Sequence, residues 1–278
     1  MDMAQDLALT VPPPPMQRAR GLGVLSCGLS AGRTRPITLR QEGCAKIRLL
    51  PSRDGFLDAL MVNTAGGLTG GDHVRWRASV HAGARASLST TSCERIYRSA
   101  GGAARIDVAL DVGAGAALDW IPQETILFDR ARLSRTLDAD VAADGRLLIA
   151  ESVLLGRRAM GETAISGAIA ERWRVRRCGG LIFADDIRIG AALSDAAARP
   201  AALNGGAAYA ALLLVAPDAE CFLAPLRAAI GDTGGASAFD GRLFCRMVAP
   251  DGFALRRALL PALKVLSPGV ESQRVWSF

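Results

Sequence analysis

The chain has 278 residues, 50% of them apolar and 22% charged, which is enough to bury a sizeable core and too apolar for an intrinsically disordered protein. Its formal charge is +6, almost all of it arginine, since Lys46 and Lys264 are the only lysines; the arginines are scattered and aromatics make up only 5%, which argues against a nucleic-acid binder. Two histidines, His73 and His81, and six dispersed cysteines without a CxxC pair offer too few ligands or bases for a zinc site or an ordinary hydrolase, and the cysteines read as reduced thiols.

Residues 1–18, which open MDMAQDLALTVPPPPM, carry neither the basic nor the apolar segment of a secretory signal and read as a disordered tail ahead of one β-rich domain over 19–278. GLSAG at 28–32 fits the GxSxG nucleophile elbow and would make Ser30 a nucleophile. Arg33, Thr34, Arg35 and Pro36 follow it and will not open a helix, and no histidine lies beyond His81 to act as base, so a strand-turn-strand is expected there. NTAGGLTGGD at 63–72 has two glycine pairs that can turn backbone amides toward an anion, but it lacks the lysine and hydroxyl residue of a Walker motif and runs into a strand. Paired glycines equally mark tight turns.

From Cys44 to Val215 strand follows strand, with period-two alternation in HVRWRASV (73–80) and RIDVALDV (105–112). Three turns resemble one another: VHAGARASL (80–88), VGAGAALDW (112–120) and VAADGRLLI (141–149). Their glycines, Gly83, Gly115 and Gly145, lie 32 and 30 residues apart, a spacing expected of hairpin layers stacked on each other. The longest apolar run, 207–216, is about half of a membrane span, so no membrane partner is expected and the cytoplasm is the expected compartment. Two helices are expected late. One spans 218–230 with Phe222, Leu226 and Ile230 four apart; the other spans 252–266 with Leu255, Leu259 and Leu263 on one face, stopped by Ser267, Pro268 and Gly269.

Carboxylates inside apolar strands are the strongest chemical signal, because a buried carboxylate is costly unless it is paired, hydrogen-bonded or bound to a metal. Glu151 stands in LLIAESVLL and Asp185 follows LIFA, while Asp72 closes the glycine stretch and Glu94 sits in TTSCERIYRS. Facing a shared wet interior, the four would suit a divalent cation held loosely by oxygen; facing solvent or arginine, they are structural.

VNTAGGLTGGD (62–72), ERIYRS (94–99), DWIPQETILFD (119–129) and GRRAMGE (156–162) together, in this order and spacing, resemble the UreD (UreH) family of urease accessory proteins, and the likeness runs from about residue 20 to the RVW of 274–276. Gln273 departs from the proline common before that tail. The resemblance implies a mainly β chain: a β-superhelical, solenoid-like stack of two-sheet hairpin layers with two short helices in the C-terminal half. It also implies a non-enzymatic scaffold or chaperone for urease maturation that bridges apo-urease to UreF and the GTPase UreG and assists GTP-dependent nickel insertion. No tightly bound cofactor is expected, only transient Ni²⁺, for which Asp72, Glu94, Glu151 and Asp185 form the expected route. Gly66, Gly67, Gly70, Gly71, Pro122, Gln123 and Glu124 are expected to face partners or specify the fold, and Tyr97 and Arg98 to anchor an interface. A hydrolase and a binding solenoid without metal remain the alternatives.

Overall fold

The computed structural model describes residues 17–51, 55–162, 165–267, 270 and 274–276. Most of the expected tail, the stop residues Pro268 and Gly269, and Gln273 lie outside them. The chain order is β1 (Arg20–Ser30), β2 (Arg33–Gly43), β3 (Ala45–Leu49), β4 (Leu57–Asn63), β5 (His73–Val80), β6 (Arg85–Thr90), β7 (Glu94–Ile96), β8 (Ala104–Val112) and β9 (Ala117–Trp120). It continues through β10 (Thr125–Leu127), β11 (Ala131–Val141), β12 (Arg146–Leu155), β13 (Gly167–Arg177) and β14 (Gly180–Ile189). After α1 (Leu193–Ala198) come β15 (Ala208–Val215), α2 (Leu223–Ile230), β16 (Gly234–Phe239), β17 (Arg242–Ala249) and α3 (Gly252–Leu266).

The strands form two sheets. The first runs β14-β13-β11-β8-β5-β1-β2 and the second β16-β17-β15-β12-β9-β6-β4-β3. The central strands of each pair in parallel: His73 opposes Arg105 and Ala104 opposes Leu133 in the first sheet, while Arg85 opposes Ala117 and Ala117 opposes Arg146 in the second. The result is a β-solenoid of about 4 turns, with 54% of the chain in strands. The layers are arches: each turn around Gly83, Gly115 and Gly145 carries the chain from one sheet to the other, and its two strands pair with the next layer. Backbone bonds stack the arches, from Gly113 N to Val80 O at 2.8 Å and from Ala142 N to Val112 O at 2.8 Å.

Alternation dictates the inner core. In β5, Val74, Trp76, Ala78 and Val80 point between the sheets while Arg75 and Arg77 point to water. β12 and β15 are buried on both faces, hence their largely apolar sequences, because α2 and α3 cover the outer side of the second sheet. Leu148, Ala150 and Leu212 pack there against Leu226, Leu255 and Leu259. The helix expected from Asp218 begins with a 3₁₀ turn over Ala219–Phe222, so α2 proper starts at Leu223, and α1 is a six-residue addition to the two expected helices. α3 begins as anticipated, with Asp251 accepting from Ala254 N at 2.8 Å. GLSAG closes the β1–β2 hairpin: Ser30 opposes Arg33, and Ala31 and Gly32 both have positive φ, so Ser30 sits on no strand-to-helix elbow. No described helix is long and apolar enough to cross a membrane.

Candidate functional site

At the end of each coil opposite the arches, four segments stack into one corner. Leu68, Ile96, Leu127 and Leu155 lie one above another, bridged by Leu68 N to Arg95 O at 2.7 Å, Tyr97 N to Leu68 O at 2.7 Å, Phe128 N to Ile96 O at 3.0 Å and Gly156 N to Leu127 O at 2.8 Å. The four motif strings of the sequence are therefore successive rungs of a single edge. Outside it, Tyr97 meets Phe128 edge-on at 5.1 Å, and the Arg157 guanidinium lies 4.3 Å over the Phe128 ring. The Tyr97 hydroxyl donates to Gly66 O at 3.0 Å.

The glycines serve this stacking. Gly67 has φ +151°, and a Cβ there would lie 2.4 Å from the Tyr97 ring and 2.8 Å from Arg95 O. At Gly70 a Cβ would fall 2.1 Å from Ser99 Oγ. Gly66 and Gly71 have positive φ. Asp72 fastens the end of the loop, its carboxylate accepting from Ala19 N at 2.8 Å and Thr69 N at 2.7 Å. Arg98 is exposed, and its carbonyl accepts from Thr69 Oγ1 at 2.8 Å.

Behind the corner a polar seam runs between the sheets. Asn63 donates to Glu94 at 3.0 Å and 3.2 Å, and Glu94 neighbours Thr125 in register. Arg135 donates from Nη1 to Thr125 Oγ1 at 3.1 Å and from Nε to Glu171 at 2.8 Å, and the same Nε lies 3.1 Å from Glu151 Oε2. Glu151 also accepts from the indoles of Trp120 and Trp173, each at 3.2 Å, and Tyr209 donates to Glu171 at 2.6 Å. Arg135, Glu151 and Glu171 are 4%, 4% and 6% exposed, so one guanidinium faces two carboxylates away from water.

Burial pushes the Glu151 carboxyl upward; Arg135 opposes that and Glu171 adds to it. Burial and Glu171 together drive the Tyr209 phenol well up. Burial lifts Glu94 to about 7 against the hydrogen bond from Asn63. Burial raises the Cys44 thiol, and the charges of Glu94 and Asp72 add to it.

A rim joins the corner to the C-terminus. Arg256 of α3 donates to Gln123 Oε1 at 2.9 Å, to Glu124 Oε1 at 3.0 Å and to Val275 O at 2.8 Å, and lies 5.1 Å over the Trp276 ring. Cys93 donates to Glu124 at 3.4 Å, its thiol pushed to about 11 by burial and then by that carboxylate. The half-buried Pro122 leads into this pair.

The family model for the UreD urease accessory protein matches residues 19–277, nearly the whole described chain. The chain belongs to the UreD family. Among its relatives, the urease accessory protein UreD of Rhizobium leguminosarum bv. viciae is 48% identical over 262 residues, 94% of this chain and 96% of the relative. The UreD of Mesorhizobium japonicum is 46% identical over 269 residues, 95% and 96% of the two chains, and that of Agrobacterium fabrum 42% over 261 residues, 94% and 92%.

In this UreD-family chain the four carboxylates singled out from the sequence do not converge on one point. Glu94 and Glu151 share the seam. Asp72 is clasped by backbone amides at one edge, and Asp185 pairs with Arg246 at the other, within 2.5 Å and 21% exposed. Among the described residues no three His, Cys, Asp or Glu side chains lie close enough together to hold a metal ion. Sequence reasoning missed Arg135, Glu171, Asn63, Thr125 and Tyr209. Alternation carried the signal for two of them: Arg135 shares the inward phase of Leu133 and Leu137, and Glu171 that of Ile169 and Trp173.

Proposed function

We propose that the chain serves urease maturation as a non-catalytic adaptor, joining apo-urease to UreF and the GTPase UreG, and that its seam passes nickel toward the urease active site. The observation that carries this reading is the buried cluster in which, among the described residues, Arg135 is the one cation paired with Glu151 and Glu171. Fully ionised, the three are one positive charge short, and a proton or a passing cation makes up the difference. Nickel is cargo on this reading. Carboxylate, phenol and hydroxyl oxygens bind a borderline divalent ion more loosely than clustered imidazoles or thiolates would, which suits a site that must release what it receives.

Glu94 and Glu151 are the inner stations of the route. Asp72, held by backbone amides, stands at one edge, and Asp185 stands at the other with Arg246. GTP belongs to the partner GTPase, and the glycine stretch of this chain is occupied in stacking the corner. Six free cysteines fit the reducing cytoplasm as the compartment.

The test is Glu151→Gln in cells that express the urease subunits and accessory proteins, with urease activity and co-purification of the complex measured together. Activation should drop several-fold while assembly persists. Normal activation would remove Glu151 from the route, and lost assembly would assign it a structural role.

A further inference from the structure

The outer side of the motif corner holds a groove of about 540 Å³ floored by Ile126, Leu154 and Leu155, with Met160 and Phe253 also lining it. Met160 is 74% exposed and Phe253 66%. Met160, a large apolar side chain left in water beside a concave apolar floor, marks a surface that another molecule covers. Other exposed apolar side chains lie elsewhere, with Leu29, Ile37 and Leu39 on the β1–β2 hairpin, Leu181 on β14 and Phe239 on β16.

Charge defines the occupant. Arg95 is exposed and neighbours Ile126 in the register of β7 and β10. Arg158 lines the groove and spends one donor on Pro250 O at 3.1 Å, and Arg257 is exposed one turn beyond Phe253 on the same face of α3. Among the described residues none of these three arginines forms an ion pair with a carboxylate. The acids nearby are engaged: Asp251 caps α3, and Glu162 is paired with Arg157. A second copy of this chain, at +6, would bring more arginine to an arginine-rimmed groove.

We propose that this groove seats a short acidic segment of one urease-maturation partner, which inserts an apolar side chain between Met160 and Phe253 and sets carboxylates against Arg95, Arg158 and Arg257. The proposal rests on the reading of the chain as an assembly protein. Apolar insertion supplies the desolvated anchor, and the arginine rim supplies orientation and rejects basic segments.

The experiment expresses the full chain with the urease subunits and accessory proteins and recovers its complexes. Phe253→Glu, and separately the double variant Arg158→Glu with Arg257→Glu, should each lower recovery of one partner by about tenfold or more, with the thermal midpoint unchanged. Ile37→Glu on the distant hairpin should recover wild-type amounts. With p-benzoylphenylalanine in place of Met160, light should cross-link the same partner through a segment holding an apolar residue among carboxylates. Undiminished recovery in both groove variants overturns the proposal, as does a cross-link to a basic segment, to a second copy, or to residues 1–16 of the same chain. If the wild-type chain recovers no urease-maturation component at all, the assembly reading itself falls and the groove with it.

Discussion

The two ends of each coil do the same topological work with different materials. At the arches around Gly83, Gly115 and Gly145 the chain crosses between sheets mainly on glycine, alanine and backbone hydrogen bonds, with only His81 and Asp144 as larger polar side chains in the turns. At the opposite corner the crossing carries Tyr97, Phe128 and Arg157 outside, Glu94 and Thr125 inside, and Gln123 and Glu124 tied to α3. Since the arches show how little a coil needs to turn, the aromatic and ionic content of the corner exceeds what the solenoid requires. That excess is where function is to be sought.

The comparison breaks most visibly at the seam. Arg135→Met leaves Glu151 and Glu171 buried without their cation and should cost about 3–5 kcal/mol in urea unfolding, whereas Asp144→Ala at an exposed arch position should stay within about 0.5 kcal/mol. Equal losses would mean that the seam is no more demanding than an arch. Gly67→Ala ranks next. It combines a strained φ with a Cβ set into the Tyr97 ring and the Arg95 carbonyl, and should cost about 2–4 kcal/mol with a change in the near-ultraviolet signal of the Tyr97–Phe128 pair.

How much of this was legible depended on which face a residue shows. Period-two alternation in residues 73–80 and 105–112 revealed the strands, and the glycine spacing revealed the coil, because an inward apolar face and a repeated turn both leave local marks. Parallel arches were not separable from hairpins, since the pleat alternates identically in either pairing. Glu151 stood out as a lone carboxylate in a strand buried on both faces. Arg135 and Glu171 did not, because their strands carry charges on the solvent face as well: Arg132 and Asp138 flank one, Arg172 and Arg174 the other. Asp185 resembled Glu151 in sequence, but it lies on an edge strand that water reaches, where Arg246 is its partner. The corner itself was visible as four strings and invisible as one place, because stacking sets side by side residues about thirty positions apart.

Glu94 sharpens the comparison through pH. Its folded pKa of about 7 lies above the ordinary carboxylate value of 4.5, so the native state holds the proton more tightly. The stability it contributes is full below 4.5 and is lost as pH rises through 7, on the order of 3 kcal/mol in all. Glu94→Gln should flatten unfolding free energy between those two values and leave the variant more stable than the wild type at pH 8. An unaltered slope would show that another group titrates there.

The smallest expected effect separates ring from hydroxyl at the corner. The Tyr97 hydroxyl donates to Gly66 O at an exposed position where water can take its place, so Tyr97→Phe should cost at most about 1 kcal/mol. Tyr97→Ala removes the edge-on contact with Phe128 and the surface that Gly67 approaches, and should cost roughly twice as much. Hydrogen exchange at the Tyr97, Phe128 and Gly156 amides reads the difference, since all three bond across rungs. In the phenylalanine variant they should stay protected, and in the alanine variant they should open while the arch amides of Gly113 and Ala142 remain slow. Opening at both ends together would mean that corner and arch form one cooperative unit, and the excess at the corner would then be structural after all.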